Sequence, residues 1–252
     1  MVITMKISLL QVKQNALYSF GNSAHISPNI RQSLSEKMVR KTLIMADKAA
    51  KDGCDYIITP EAVNFTGVPM DEETFNIVEP FGGISFERFS ELAKRYNVNI
   101  LAGLYNMRGG DVYNSAVMFN RDGEIERVYD KVNLAGDENH MIRKGKEYVI
   151  IDTEHGRIAP LICWDMQCGA VEEVTKMGAD IVFCPTWGWE NSYGIECAMK
   201  NNIYIAAAMG IPYNGDITGV RTPSEILDRN GKVLAVGSES EECIITHELQ
   251  IA

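Results

Sequence analysis

Two segments of the chain repeat one pattern, and this repetition limits the folds that the chain can adopt. Gly53-Cys-Asp-Tyr-Ile-Ile-Thr-Pro60 and Gly178-Ala-Asp-Ile-Val-Phe-Cys-Pro185 each pair a helix stop with an apolar strand that ends at a proline. Residues 119–125 and 227–233 likewise share a hairpin tip, with Asp-Gly in the first and Asn-Gly in the second. The repeat predicts an α/β fold: a four-layer α-β-β-α sandwich with two pseudo-symmetric halves, in which the sheets face each other and the helices lie outside.

The size and charge of the chain narrow its class. A chain of 252 residues with 46% apolar side chains can fill one large core, so we expect a single domain over residues 1–252. A net charge of −10 argues against nucleic acids and anionic membranes as partners. The longest apolar run, residues 203–212, is far shorter than the roughly 20 residues that span a bilayer. The first residues read as a strand rather than a signal peptide, so we expect a cytoplasmic protein.

The cysteines and histidines do not form metal-binding motifs. There is no CxxC pair, and none of the four histidines forms an HxxxH pattern. We therefore expect no metal site, and we expect reduced thiols rather than a disulfide framework. The six cysteines are Cys54, Cys163, Cys168, Cys184, Cys197 and Cys243.

Hydrophobic spacing divides the chain into strands and helices. We predict strands at residues 5–12, 55–60, 98–104, 112–119, 124–129, 157–162, 181–184 and 204–209, and a hairpin over residues 224–236. We predict helices at residues 29–51, 86–96, 171–177 and 191–200. Residues 13–28 are rich in Asn, Ser and Gly, which predicts a long loop.

One predicted strand ends on a cysteine. The apolar run that begins after Arg157 stops at Cys163-Trp164-Asp165, and Gly169 follows. A thiol at the carboxyl end of a strand in an open α/β sheet lies where such sheets bind ligands, which favours a chemical role for Cys163. The alternative is an inert thiol, because a free cysteine also behaves as a small hydrophobic core residue.

Two charged residues occupy comparable positions at the ends of predicted strands. Glu61 follows a strand that ends at Pro60, and Lys131 follows a hairpin. Each has a purely structural interpretation: Glu61 can be a carboxylate at a helix N-terminus, and Lys131 can be a solvated charge in a loop. Together with Cys163 they have a chemical one: a carboxylate can take the thiol proton, and an ammonium can stabilise both a thiolate and an oxyanion. No histidine lies in a pattern that suggests a Cys-His pair, so a carboxylate base is favoured.

Three motifs in this order resemble those of the nitrilase superfamily of carbon–nitrogen hydrolases. They are Pro60-Glu61, Tyr129-Asp-Lys131-Val-Asn-Leu134 and Leu161-Ile-Cys163-Trp-Asp165, and the likeness runs through nearly the whole chain. The resemblance implies an α-β-β-α sandwich that forms a homodimer or a larger homo-oligomer. It also implies that Glu61 is the general base, Lys131 the oxyanion-stabilising lysine and Cys163 the nucleophile. Glu138 falls where the family has a second active-site glutamate.

The resemblance implies hydrolysis of a small amide or N-carbamoyl compound through a thioester, without a metal or organic cofactor. Two alternatives are also compatible with the family resemblance: the protein hydrolyses a nitrile with the same three residues, or it is a catalytically idle member that binds a metabolite. A third alternative is a redox-sensing protein in which Cys163 and Cys168 are oxidised reversibly. The expected partner in the first reading is a small-molecule amide.

Several positions depart from the family pattern or bear on the pocket. Asn133 stands where many members have His, Cys168-Gly169-Ala170 where many have Phe-Pro-Glu, and Cys197 where an Arg is common. We expect substrate contacts from three tryptophans, with the backbone N–H of the first also facing the oxyanion. For the last two, aromatic packing at an interface is the alternative. The tryptophans are Trp164, Trp187 and Trp189.

Overall fold

A computed structural model of the chain describes residues 3–14, 26–65, 71–136, 138–189, 192–211 and 222–251. Most of the predicted loop 13–28 lies outside these residues. Within them, two mixed β-sheets face each other, and helices pack on their outer faces. The sheets are joined at one end, where Val12 pairs with Gly210 and Lys13 with Ile211.

The first sheet is built mainly from the first half of the chain. Its described strands are β1 (Ile3–Lys13), β2 (Tyr56–Ile58), β3 (Asn99–Arg108), β4 (Asp111–Phe119), β5 (Ile125–Asp130) and β12 (Cys243–Ile251). They lie in the order β12-β1-β2-β3-β4-β5, with β1, β2 and β3 parallel. Its helices are α1 (Pro28–Lys51), α2 (Glu72–Phe75), α3 (Ile84–Tyr96) and α4 (Glu138–Met141).

The second sheet repeats this arrangement. Its described strands are β6 (Ile151–Thr153), β7 (Gly156–Pro160), β8 (Ile181–Thr186), β9 (Tyr204–Ile211), β10 (Glu225–Leu227) and β11 (Val233–Val236). They lie in the order β6 to β11, with β7, β8 and β9 parallel. A 3₁₀ helix (Cys163–Cys168) and helices α5 (Ala170–Lys176) and α6 (Tyr193–Asn201) accompany it.

The repeated sequence pattern corresponds to repeated contacts, which confirms the predicted pseudo-symmetry. Asp55, before β2, donates its backbone N–H to Lys6 O at 2.8 Å and accepts the Lys6 N–H at 2.9 Å. Asp180, before β8, makes the same two bonds with Arg157, also at 2.8 and 2.9 Å. The two aspartates therefore set the register of equivalent parallel strands in the two sheets.

Side chains that alternate along each strand pack into two different hydrophobic cores. In β1, Leu9 packs into the core between the sheets, whereas its neighbour Leu10 packs into the core beneath α1 and α3. Ile58 and Ile57 of β2 divide in the same way. Successive side chains on a strand point to opposite faces, and full burial of each contributes about 2 kcal/mol. The result is the predicted four-layer α-β-β-α sandwich.

The predicted end of the strand over residues 181–184 was wrong. We expected Pro185 to end its strand, but β8 continues to Thr186 and Pro185 pairs with Ala208 of β9. Proline lacks the N–H that a central strand normally donates. Phe183 O accepts the Leu161 N–H on the β7 side, and residue 185 has the same orientation. Because β7 ends at Pro160, it has no residue beside Pro185 that would need an N–H from this proline.

The sequence did not reveal strand β12. It pairs antiparallel with β1 from Ile3 to Gln11, a partner more than 230 residues away in the chain. Its half-buried His247 and exposed Glu248 interrupt the apolar pattern, so periodicity alone was a weak signal. Among the described residues, no helix is both long enough and apolar enough to cross a bilayer.

Candidate active site

Three chain segments that are remote in sequence converge at one edge of the sandwich. Glu61 lies in the turn after β2, Lys131 directly follows β5, and Cys163 begins the 3₁₀ helix after β7. β2 and β7 run in the same direction, because every pairing along the path β2-β1-β9-β8-β7 is parallel, so their carboxyl ends point the same way. This is the edge at which α/β sheets bind ligands.

Lys131 holds two carboxylates. Its Nζ lies 2.8 Å from Glu61 Oε1 and 2.8 Å from Glu138 Oε2. A neutral donor makes a second bridge: Asn114 Nδ2 donates to Glu61 Oε1 at 2.8 Å and to Glu138 Oε1 at 3.0 Å. The backbone N–H of Ala135 also donates to Glu138, at 2.8 Å. The structure thus brings Glu61, Lys131 and Glu138 into direct contact.

Burial makes these charges interact strongly. Glu61 is 3% exposed and Lys131 2%. Burial raises the pKa of the Glu61 carboxyl, opposed by Lys131 and reinforced by Glu138. Burial also acts to lower the pKa of the Lys131 ammonium, but the acidic groups around it raise that pKa well above its usual range. Lys131 therefore stays charged while Glu61 binds a proton more readily than an exposed glutamate does.

Cys163 adopts a backbone conformation that is rare outside glycine. Its φ is +44°, a left-handed value that costs of order 1–3 kcal/mol and is often found at functional sites. The Trp187 backbone and the Thr186 side chain act to lower the pKa of its thiol. Burial, with a further contribution from the Glu61 charge, raises the pKa of Cys163 to about 12. The thiol is therefore protonated at neutral pH and needs a base to become a nucleophile.

A buried aspartate ties the cysteine turn to the lysine segment. Asp165 accepts the backbone N–H of Asn133 at 2.8 Å and the Tyr129 hydroxyl at 2.7 Å. The Asn133 side chain also donates to Asp165, at 3.1 Å, and to the Tyr148 hydroxyl, at 2.9 Å. Asn133, where many relatives have His, thus serves here as a structural donor beside the site.

The other departures from the family pattern lie at the outer end of the 3₁₀ helix. Cys168 is exposed, and Gly169 leads into α5 with a φ of +79°, which favours glycine. Cys197 lies on α6, with its Sγ 3.9 Å from Met166 O. These residues shape the connection between the cysteine turn and α5 rather than the Glu61 and Lys131 contacts.

Two glycines permit the close approach of backbone segments around the site. A Cβ on Gly103 would lie 2.5 Å from Pro60 O and 2.9 Å from the Glu61 Cα. A Cβ on Gly145 would overlap the Asp130 carbonyl, while the Gly145 N–H donates to Lys131 O at 2.8 Å. The absence of side chains at these two positions therefore sets the backbone positions of Glu61 and Lys131.

The structure separates the three tryptophans. The side chain of Trp164 is 41% exposed. Trp187 is half-buried and packs over Gly210, and its backbone acts to lower the pKa of the Cys163 thiol. Trp189 is buried in the core, and its Nε1 donates to Glu225 Oε1 at 3.1 Å. This placement favours packing over substrate contact for Trp189 and leaves Trp187 beside the nucleophile.

Sequence reasoning missed two residues of this site, Asn114 and Tyr105. Asn114 is paired with Lys131, whose backbone N–H donates to Asn114 O at 2.9 Å. The Tyr105 hydroxyl lies 3.4 Å from Glu138 Oε1. The available signal was a polar side chain at an inward-facing position of an apolar strand, since Asn114 alternates with Ala116 and Met118. Among the described residues, no cluster of three His, Cys, Asp or Glu side chains could hold a metal ion.

Comparison with protein-family models decides the family. The model described as carbon-nitrogen hydrolase matches residues 22–252, which is most of the chain. The chain belongs to the carbon-nitrogen hydrolase family. The chain is 28% identical over 209 residues to a probable nitrilase of Schizosaccharomyces pombe, covering 78% of this chain and 76% of that protein. It is 26% identical over 225 residues to a 2-oxoglutaramate amidase of Bacillus subtilis, covering 84% of each chain.

Solved structures confirm the fold of the chain. A carbon-nitrogen hydrolase from Helicobacter pylori superposes with a TM-score of 0.81 at 20% identity, covering 98% of this chain and 89% of the other. The predicted nitrilase-type sandwich is therefore correct at the level of the fold.

Proposed function

We propose that the protein is a cysteine-dependent amidase that hydrolyses a small amide or N-carbamoyl compound and uses Glu61, Lys131 and Cys163 together. The observation that supports this most directly is the position of Lys131: its buried ammonium bridges Glu61 and Glu138 at 2.8 Å each, beside a thiol at a strained strand end. The proposal combines a nucleophile, a base and an oxyanion-stabilising group in one site.

In the first half of the reaction, Cys163 Sγ attacks the substrate carbonyl carbon and its proton passes to the Glu61 carboxylate. The carbonyl π electrons move onto oxygen, where the Lys131 ammonium and the Trp164 backbone N–H stabilise the negative charge. The tetrahedral intermediate collapses, the carbon–nitrogen bond breaks, and Glu61 returns the proton to the leaving nitrogen. Ammonia or an amine departs and a thioester remains on Cys163.

In the second half, water attacks the thioester carbon. Glu61 takes the proton of the water, and Lys131 again stabilises the oxyanion. The carbon–sulfur bond breaks, the carboxylic acid leaves and Cys163 regains its proton. Glu138 keeps Lys131 charged and oriented through their 2.8 Å contact. Every step uses groups of this chain and water.

Product analysis tests the proposal. The protein is incubated with a panel of small amides, N-carbamoyl amino acids and nitriles, with Cys163→Ala as the matched control. We expect carboxylic acid and ammonia or amine from at least one amide or N-carbamoyl compound, and none from the variant. Conversion of nitriles alone would support the nitrile alternative instead. No product from any substrate with folded protein would overturn both.

Selective alkylation gives a readout that does not depend on the right substrate. A limiting amount of iodoacetamide, followed by peptide mass spectrometry, ranks the six thiols by reactivity. We expect Cys163 to react first and Glu61→Gln to remove its advantage. A Cys163 that reacts no faster than the other thiols would favour the metabolite-binding alternative.

We also propose that the chain forms a homodimer or larger homo-oligomer, on the basis of the family resemblance. Light scattering after size-exclusion chromatography tests this. A mass of at least twice the 28.1 kDa of one chain supports the proposal, and a mass of 28.1 kDa overturns it.

A further inference from the structure

The Asn114 side chain makes contacts that the reaction scheme leaves unexplained. It lies on β4, is 1% exposed, and donates through one nitrogen to both Glu61 Oε1 at 2.8 Å and Glu138 Oε1 at 3.0 Å. Its own Oδ1 is buried and has no hydrogen-bond partner among the described residues. A buried amide with an unpaired oxygen is costly, so its two donated bonds must offset that cost.

The two bonds from Asn114 act on a group of buried charges that is not balanced. Two carboxylates face one ammonium, so an ionised Glu61, an ionised Glu138 and Lys131 together carry a net charge of −1 in a buried site. A second cation beside Glu61 would offset this charge but would also lower the proton affinity of the base. A neutral amide supplies the two additional donors without adding charge, and hydrogen bonds to the ionised form favour that form.

We propose that Asn114 is a positioning residue that, together with Lys131, holds the Glu61 and Glu138 carboxylates as one unit and keeps Glu61 able to accept the thiol proton. Asn114 acts through Glu61 and does not touch the reacting atoms. The inference rests on the proposed function, because it assigns Asn114 to the base of that reaction. The direction of the Glu61 pKa is consistent, since the Asn114 hydrogen bond lowers a pKa that burial has raised.

The neighbours of the carboxylate pair define which titrations could be mistaken for that of Glu61. The ionisable groups that act on the pair or on Lys131 come from five elements of the two sheets and their connections. Among the described residues they are Tyr105 on β3, Lys131 after β5, Glu138 on α4, Cys163, Asp165 and Cys168 on the 3₁₀ helix, and Cys184 on β8. The Asp165 carboxyl, whose pKa burial raises, is bonded to Tyr129, Asn133 and Ile162 rather than to Asn114, so its titration should be common to all variants. Burial holds the pKa of Tyr105 and of Cys184 well above their usual values, and that of Cys163 at about 12, so none of these three titrates on the acid side.

The chain offers a matched control. Asn106 on β3 is also fully buried and donates its Nδ2 to Ser115 Oγ at 2.8 Å. Within the part of the chain that the structure describes, its Oδ1 is likewise unpaired. Asn106 points to the opposite face of the same sheet, away from Glu61 and Glu138. Asn106→Ala therefore removes an equivalent buried amide without touching the carboxylates.

The experiment measures the rate of Cys163 alkylation by iodoacetamide between pH 4 and 9, in folded wild type, Asn114→Ala, Asn114→Asp and Asn106→Ala. A hydrogen bond to a charged group corresponds to about one pKa unit. In Asn114→Ala we expect the acid limb to move up by about one pH unit, with about tenfold slower alkylation below it. Asn114→Asp, which has the same shape but no N–H, should shift the limb at least as far. Asn106→Ala should retain the wild-type limb.

The outcomes separate the inference from the function on which it rests. A wild-type Cys163 whose alkylation does not depend on Glu61 would contradict the proposed function itself. If wild type depends on Glu61 but both Asn114 variants keep the wild-type limb, the positioning role is wrong while the function stands. An Asn114→Asp variant that behaves like wild type, or a uniform loss of rate at every pH without a shifted limb, would assign Asn114 a purely structural role and overturn the inference.

Discussion

Asp165, two residues after the cysteine, accepts the backbone N–H of Asn133, two residues after the lysine, at 2.8 Å. The bond crosses from the second sheet to the first and joins the two segments that carry Cys163 and Lys131. Asp165 also accepts the Ile162 N–H at 2.9 Å, so the same carboxylate braces the start of the 3₁₀ helix. The relative position of the thiol and the ammonium therefore depends on one buried side chain.

Removal of the Asp165 carboxylate should destabilise the fold. Asp165→Ala leaves the Tyr129 hydroxyl and the Asn133 and Ile162 backbone N–H groups without their acceptor. We expect a loss of about 3 kcal/mol in the free energy of unfolding, measured by urea denaturation, and slower alkylation of Cys163. The control is Asp152→Ala, which removes an exposed ion pair with Arg157 and should change the free energy of unfolding little. Equal effects of the two substitutions would contradict this role.

Gly103 should be intolerant of any side chain. In Gly103→Ala the new Cβ meets Pro60 O at 2.5 Å and Glu61 Cα at 2.9 Å, so the Glu61 backbone must move. We expect about 1–3 kcal/mol lower stability and a marked loss of Cys163 alkylation at pH 7. Gly109→Ala is the control, because its Cβ meets no atom within 4 Å although its φ of +60° disfavours alanine. It should lose stability but retain Cys163 reactivity, and a fall in reactivity there would weaken the argument.

The 3₁₀ helix carries two thiols, half-buried Cys163 and exposed Cys168, and their alkylation rates should respond differently to pH. Because the Cys163 pKa is raised to about 12, its reactivity relies on transfer of the proton to Glu61, and its alkylation rate should be flat from pH 7 to 9. Cys168, which is exposed and has a pKa raised above 9.0 by burial of its thiol, should react about tenfold faster for each pH unit. Peptide mass spectrometry resolves both sites in one sample. A Cys163 rate that rises in parallel with Cys168 would show that no base assists it.

Glu225 should make the stability of the protein depend on pH near neutrality. Burial raises its pKa from 4.5 to about 7, and the Trp189 N–H only partly opposes this. The folded state therefore binds the proton more tightly than the unfolded state, so this contribution is complete below about pH 4.5 and is lost as the pH rises through 7. Relative to Glu225→Gln, wild type should lose about 3 kcal/mol between pH 4.5 and 8. The exposed Glu91→Gln should track wild type, and a constant difference for Glu225→Gln across this range would refute the prediction.

Much of the fold could be predicted because its signals are local. The helix over residues 29–51 and the hairpin at residues 120–123 follow from spacing and turn residues that lie within a few positions of each other. The two Gly-to-Pro segments became equivalent strands because identical local patterns form identical contacts with Lys6 and Arg157. Strand β12 escaped prediction because its partner β1 lies at the other end of the chain.

The candidate site likewise contains residues that the sequence predicted and a residue, Asn114, that it did not. Glu61, Lys131 and Cys163 were predicted as site residues from their places at strand ends and from motif resemblance, and the structure brings Lys131 into contact with Glu61. Asn114 carried no comparable signal, since a single asparagine in a strand is common. Its role depends on the register of β4 against β5, which sets it opposite Lys131, and on the packing that brings Glu61 and Glu138 within reach.

The sequence by itself determined the layered architecture, the repeat of its halves and the residue types available for chemistry, because periodicity and turn propensity act over short stretches of chain. Only the tertiary structure decided which groups share one charge environment. Burial of Glu61 and Lys131 at 3% and 2% exposure, the neutral bridge from Asn114 and the Asp165 brace arise where two sheets meet. Electrostatic interactions gain their strength from that low-dielectric setting, and no local pattern records it.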